Sequence, residues 1–193
     1  MVFRYPISWI EPDPELMSPS MQLMKIRVAE LFAGVGGFRE AVESDGLRKR
    51  FSVTWSNQWE PRESNKEDRE QTANTVYEAK FVKEGAPPHC PMDIDEATKD
   101  EKMPEIPAFD MLVGGFPCQD YSVAKPRNAS KGMNGPKGVL WWNIRKILED
   151  RLPHYVLLEN VDLLIKSPSE CRGRDFAIIL KCLDELGYFV EWR

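Results

Sequence analysis

Short apolar runs at residues 26–32, 51–55, 109–113 and 155–158 are separated by segments with helical patterning. Each run has the length and composition of a strand, and the run Phe109-Asp110-Met111-Leu112-Val113 is apolar enough to lie centrally in a parallel sheet. Strands that alternate with helices imply an α/β architecture, a doubly wound and mostly parallel sheet. In such a sheet ligands bind beyond the carboxyl ends of the strands. The residues just after each apolar run are therefore the ones to read for chemistry.

The intervening pattern predicts a short helix ending near Arg48 and a charged helix over residues 64–82, with Ala73, Val76, Tyr77 and Phe81 on its inner face. Helices are also expected over 139–152 and 175–186, the latter closed by Gly187. Residues 189–192 begin one more strand. Residues 84–108 read as a Pro-rich connection with a short element at Met92-Asp93-Ile94. Residues 1–24 carry Pro6, Pro12, Pro14 and Pro19 without periodicity and are expected to be a flexible extension. Met17, Met21 and Met24 are alternative translation starts, and residues 25–193 form the folded domain.

Composition excludes several classes. A chain that is 42% hydrophobic and 30% charged is an ordinary globular protein, and 193 residues suffice for one domain with a real core. No apolar run is long enough to span a bilayer, and the N-terminus lacks the apolar stretch of a secretory signal, so cytoplasm is the expected compartment. Cys90, Cys118, Cys171 and Cys182 show no C-x-x-C spacing, and with only His89 and His154 beside them no metal site is expected. Cys182 falls at a core-like helical position, and His89-Cys90 sits among prolines as a loop. A net charge of −5 does not suggest a general nucleic-acid binder. Its distribution is uneven, however: residues 121–148 hold no Asp or Glu but include Lys125, Arg127, Lys131 and Lys137. This basic loop is either a phosphate-contact surface or a plain solvated loop.

Five places, four of them just after the apolar runs, carry candidate site residues. Phe32-Ala33-Gly34-Val35-Gly36-Gly37 is a glycine-rich turn entering a helix, a geometry that brings backbone N–H groups close to a cofactor. Its spacing departs from G-x-G-x-x-G, so a dinucleotide is not the favoured ligand. Gln58-Trp59-Glu60 ends the second strand; an amide or carboxylate there can hold ribose hydroxyls, and the indole either stacks on adenine or packs on the next helix. Asp93 and Ile94 offer a carboxylate for an adenine amino group and an apolar floor, which completes an adenosine pocket. Cys118 follows Gly114-Gly115-Phe116-Pro117, and Glu159 ends the fourth run. A thiolate and a carboxyl group facing one cleft suit covalent attack on a heteroaromatic ring, although each alone also has a structural reading as a buried thiol or a capping carboxylate.

With these residues in place the chain resembles the DNA cytosine-5 methyltransferases. Phe32 to Phe38 is similar to that family's cofactor motif, Gly115-Phe116-Pro117-Cys118-Gln119 with Ser122 to its nucleophile motif, and Glu159-Asn160-Val161 to its cytosine-binding motif, while Gly138-x-Leu140 is similar to an intervening element. The resemblance runs in family order from Ile26 onward. It implies a Rossmann-like S-adenosylmethionine-dependent methyltransferase fold, with double-stranded DNA as substrate and a cytosine flipped out of the helix. Cys118 would attack C6 and Glu159 would contact N3 and the exocyclic amine. Pro117 and Leu140 would border the methionine end of the cofactor. Gln119, Ser122, Lys125, Arg127 and Asn160 would face DNA.

Two departures stand out. Gln58 occupies a position where the family usually has an acidic residue, which leaves Gln58 and Glu60 as alternatives for the ribose. After Arg193 there is no Gln-x-Arg-x-Arg segment, target-recognition domain or closing motif, so the fold is expected to be incomplete at its C-terminus. The expected function is transfer of a methyl group to cytosine C5 by the catalytic part of a split or truncated restriction-modification enzyme. A second polypeptide would supply target recognition, or the chain would self-associate. The alternatives are an inactive fragment, a non-catalytic cofactor-binding module and a transfer-RNA methyltransferase.

Overall fold

The computed structural model describes residues 2–4, 25–60, 71–116, 139–167 and 171–193. They build a seven-stranded sheet. In chain order the elements are β1 (Val2–Arg4), β2 (Ile26–Leu31), α1 (Gly37–Val42), β3 (Phe51–Asn57), α2 (Thr72–Phe81), β4 (His89–Cys90), α3 (Ile94–Ala97), β5 (Met111–Gly115), α4 (Val139–Arg151), β6 (Tyr155–Glu159), α5 (Arg174–Glu185) and β7 (Phe189–Glu191).

Across the sheet the order is β4-β3-β2-β5-β6-β1-β7. Strands β4, β3, β2, β5 and β6 are parallel. From β2 the chain steps outward through β3 to β4, then returns to lay β5 on the other side of β2. The direction of progression thus reverses between β2 and β5, and the carboxyl ends of that pair form the crevice where α/β sheets bind ligands.

The apolar runs are strands because both faces of the sheet are covered. Leu112 and Val113 are both fully buried, yet they belong to separate clusters on opposite faces. The larger cluster takes Leu31, Leu112, Leu158 and the inner faces of α4 and α5. In α5 the buried Phe176, Ile179, Cys182 and Leu183 recur at helical spacing, so Cys182 is the small core residue its position suggested. The smaller cluster joins Val28, Val53 and Val113 to Val42 of α1.

Several elements differ from the sequence reading. Residues 2–4 are not free of regular structure: they insert antiparallel between β6 and β7, with Phe3 opposite Val156 on one side and Val190 on the other. This pairing is made across the sheet, so no local periodicity announces it. Helix α1 ends at Val42, short of Arg48. Helix α2 is described from Thr72 to Phe81, and its inner face carries Asn74 and Tyr77 while Val76 is exposed. His89-Cys90, expected as loop, pairs with Ser56 and Asn57 as a two-residue strand. Strand β7 stops at Glu191, and Phe189 and Trp192 are exposed at 64% and 54%.

Candidate active site

The glycine turn lies directly beyond β2. Ala33 N–H donates to the Asn57 carbonyl at 3.0 Å and Gly36 N–H to the Ala33 carbonyl at 2.8 Å, which closes the turn against the end of β3. Gly34 and Gly36 adopt left-handed backbone, with φ of 56° and 91°. Phe32 does so too at φ 53°, a conformation that costs a bulky L-residue roughly 1–3 kcal/mol and is characteristic of ligand-binding turns. A Cβ added at Gly34 or Gly37 would meet no atom within 4 Å, so open space lies against the backbone there. At Gly36 the opposite holds, because a Cβ would fall 2.1 Å from the Phe81 ring.

The end of β3 is tied to this turn. Gln58 is buried, and its Oε1 accepts the Gly34 N–H at 2.7 Å. Trp59 is half-buried. Glu60 Oε2 instead accepts the Ala73 N–H at 3.0 Å in the first turn of α2, while Gln71 brackets the Glu60 backbone at 2.8 and 2.7 Å. The two candidates for the ribose are therefore differently engaged, one on the glycine turn and one as a helix cap. Asn57, adjacent to them, donates from Nδ2 to the carbonyls of Cys90 and Met92 at 3.0 and 2.8 Å. Those bonds fix the chain leading to Asp93, which caps α3 by accepting the Asp95 N–H at 3.0 Å, and to the buried Ile94. Phe32, Gln58, Asp93 and Ile94 thus belong to three neighbouring strand ends joined by specific hydrogen bonds.

On the other side of the crevice, β5 and β6 run in register to Gly115 opposite Glu159. Glu159 is exposed, and its Oε2 lies 3.0 Å from where a Cβ of Gly115 would stand. Asn160 donates from Nδ2 to the Phe116 carbonyl at 3.2 Å, which clamps the exit of β6 to the exit of β5. A cleft of about 630 Å³ opens here, lined by Phe38, Leu158, Glu159, Asn160, Val161 and Ile165. Leu140, at the start of α4, packs against the main core, and Trp141 below it leans on Phe116 at 6.4 Å between centroids. Pro117, Cys118, Gln119, Ser122, Lys125 and Arg127 lie outside the described residues.

Sequence reasoning missed a buried polar cluster beneath the turn. Glu30 is fully buried at the end of β2, and burial raises its pKa above the ordinary carboxylate value. Its oxygens accept the Arg39 backbone N–H at 3.1 Å and the Tyr77 hydroxyl at 2.9 Å. Burial and the neighbouring Glu30 push the Tyr77 phenol up to about 12. His89 stacks on the Tyr77 ring at 4.8 Å, with its nitrogens on Ser56 and Asn74, both at 2.8 Å, and burial lowers its pKa. One signal was legible: an acidic residue inside the buried stretch Val28-Ala29-Glu30-Leu31 of a strand.

A mostly parallel sheet with its reversal at β2/β5, a glycine turn on one side of the reversal and a carboxylate on the other, makes a doubly wound α/β fold. A solved methyltransferase from Entamoeba histolytica, EhMeth, has the same fold, with a TM-score of 0.54 at 20% identity over 84% of this chain and 44% of that one. The family model for C-5 cytosine-specific DNA methylases matches residues 26–193, and the chain belongs to that family. It is 52% identical over 171 residues to the type II methyltransferase M.Sau3AI of Staphylococcus aureus, covering 88% of this chain and 38% of that protein. It is 34% identical over 168 residues to M.NgoBI of Neisseria gonorrhoeae, covering 86% and 44%. The chain thus spans about four-tenths of the length of these relatives. No described helix is long and apolar enough to cross a membrane.

Proposed function

We propose that this chain holds S-adenosylmethionine and carries the nucleophile for methylation of cytosine C5 in double-stranded DNA. The observation that carries the reading is the register of β5 and β6. Strand β5, which ends three residues before Cys118 in the sequence, lies in register beside β6, which ends in Glu159. The open space over Gly34 and Gly37 fits a ligand pressed against backbone, and the joined ends of β3 and β4 fit its nucleoside part.

In this reading Phe32, Ala33, Gly34, Gly36 and Gly37 hold the methionine side, Gln58, Trp59 and Glu60 the ribose side, and Asp93 with Ile94 the adenine. Pro117 and Leu140 border the reacting end. When bound, S-adenosylmethionine supplies the electrophilic methyl group. Cys118 adds as thiolate to C6 of a flipped-out cytosine, which makes C5 nucleophilic. Glu159 hydrogen-bonds N3 and the exocyclic amine, where charge changes most. After C5 takes the methyl group it gives up its proton, and elimination returns the Cys118 thiolate. Gln119, Ser122, Lys125, Arg127 and Asn160 contact the DNA, and because the chain spans about four-tenths of the relatives' length, recognition of the base sequence is assigned to further polypeptide, such as a second subunit.

The test is covalent trapping on DNA containing 5-fluorocytosine, where the methylated intermediate cannot lose fluorine and stays attached. The chain is assayed with S-adenosylmethionine, alone and with the neighbouring gene product. Cys118→Ser is expected to retain cofactor binding and to lose the trapped complex. Trapping by the serine variant would refute the assignment.

A further inference from the structure

The buried polar cluster under the glycine turn has no part in the chemistry just described, yet it sits at a costly place. Burying a carboxylate disfavours the fold unless its lone pairs are filled, and an apolar residue at position 30 would make a simpler core. Glu30 is held by two donors that come from different helices. Helix α1 begins after Gly36, which has no side chain to cap it, so the Arg39 N–H in its first turn would lack a partner. Glu30 Oε1 supplies that partner from the neighbouring strand. Its Oε2 takes the Tyr77 hydroxyl from α2, and that hydroxyl in turn accepts Arg39 Nη1 at 3.2 Å. The Arg39 guanidinium lies 4.7 Å from the centroid of Phe81, the ring that closes over Gly36.

We propose that Glu30 and Tyr77 are positioning residues for the methyl-donor site: one carboxylate locks the first turn of α1 to α2 and so sets the Gly34–Gly37 backbone against which the cofactor lies. The inference rests on the S-adenosylmethionine reading above. It gives a role to a carboxylate that is fully desolvated. It also makes Arg39 a two-way tie, bonded through its backbone to Glu30 and through its side chain to Tyr77 and, at 3.3 Å, to Glu43.

The experiment uses the full chain with Tyr77→Phe, which deletes only the hydroxyl and keeps the ring on His89, and with Glu30→Gln. Asp110→Asn, at the opposite end of the sheet, serves as a stability control. S-adenosylmethionine binding is measured by titration calorimetry, and amide exchange is read by residue without ligand. Tyr77→Phe is expected to weaken binding roughly 5- to 10-fold, the size of one lost ordinary hydrogen bond. Glu30→Gln should weaken it more, and the double variant no further than Glu30→Gln alone. Exchange should speed up at residues 34–39 while β5 and β6 keep their protection, and Asp110→Asn should bind as wild type.

Wild-type binding by Tyr77→Phe, or faster exchange spread evenly over the sheet, would overturn the proposal. If the wild-type chain binds no S-adenosylmethionine, the cofactor reading fails. The exchange pattern in the unliganded variants then decides the coupling of Glu30 and Tyr77 to the turn by itself: unchanged protection at residues 34–39 refutes it.

Discussion

Replacing Gly36 by alanine tests the turn at its tightest point. Two separate penalties follow from the geometry. The backbone at φ 91° lies in the left-handed region, which costs an L-residue roughly 1–2 kcal/mol. The new methyl would stand 2.1 Å from Phe81 Cε2 and 2.9 Å from Cζ, well inside contact distance. Phe81 cannot swing away freely, since its ring packs on Tyr77 at 4.9 Å and carries the Arg39 guanidinium on its face. Overpacking of this kind costs about 1–3 kcal/mol. The sum, about 2–5 kcal/mol, is a large part of a domain's total stability.

Urea denaturation of the full chain reads the total, and a Phe81→Ala background separates its parts. With the ring removed, Gly36→Ala should retain only the backbone penalty, so the two substitutions should couple by about 1–3 kcal/mol. Gly34→Ala makes the contrasting case: φ is 56° but the Cβ meets nothing, so it should cost only about 1–2 kcal/mol while blocking the space assigned to the cofactor. Equal costs for Gly36→Ala in both backgrounds would refute the steric half of the reasoning. A cost under about 0.5 kcal/mol in the wild-type background would refute both halves.

Two further outcomes are expected. Asp110 accepts the Arg27 backbone N–H at 2.8 Å and Arg27 Nε and Nη2 at 3.0 and 2.8 Å, and the side-chain bond holds its pKa below the ordinary aspartate value. Its contribution is present above the unfolded pKa and fades as pH falls through the folded one. Because the pair is partly exposed, Asp110→Asn should cost only about 1 kcal/mol in denaturant melts at pH 7, and a neutral result at pH 7 would discount the pair. His89 and Glu30 act in opposite senses. Burial lowers His89, so as pH falls below about 6.5 the unfolded chain takes a proton that the native state refuses, and stability drops. Burial raises Glu30, so the native state takes its proton first and regains stability as pH falls toward about 4.3. Denaturant midpoints for wild type and His89→Asn should therefore converge between pH 7 and 5.5, and a constant gap would count against a neutral, buried His89.

What could be read from the sequence follows from what each feature depends on. The strands at 26–31, 111–115 and 155–159 were legible because both faces are buried, which writes a largely apolar run into the chain. The glycine turn was legible because backbone that closes on Phe81 or enters the left-handed region demands that residue type locally. On helix α2 Tyr77 is an inner residue as expected, but Val76 is exposed and Asn74 takes an inner place, because hydrophobic periodicity looks for Val76 whereas the helix buries Asn74 against His89 and the Tyr77 hydroxyl against Glu30. Polar burial depends on partners 15 and 47 residues away, and no local pattern encodes them. Strands β1 and β4 escaped for a related reason: with three and two residues, they exist only through pairing with distant strands.

The same distinction separates Gln58 from Glu60. Their spacing leaves both eligible for a ribose, and only the fold shows that one side chain is bonded to the Gly34 amide and the other to the start of α2. The ends of β2, β3 and β4 are thus held by side chains that reach across elements: Gln58 to the turn, Asn57 to the chain before Asp93, Glu30 to both helices. A pocket assembled this way is as rigid as those bonds. Loss of any one should show first in how well the site is formed, and only second in whether the sheet folds.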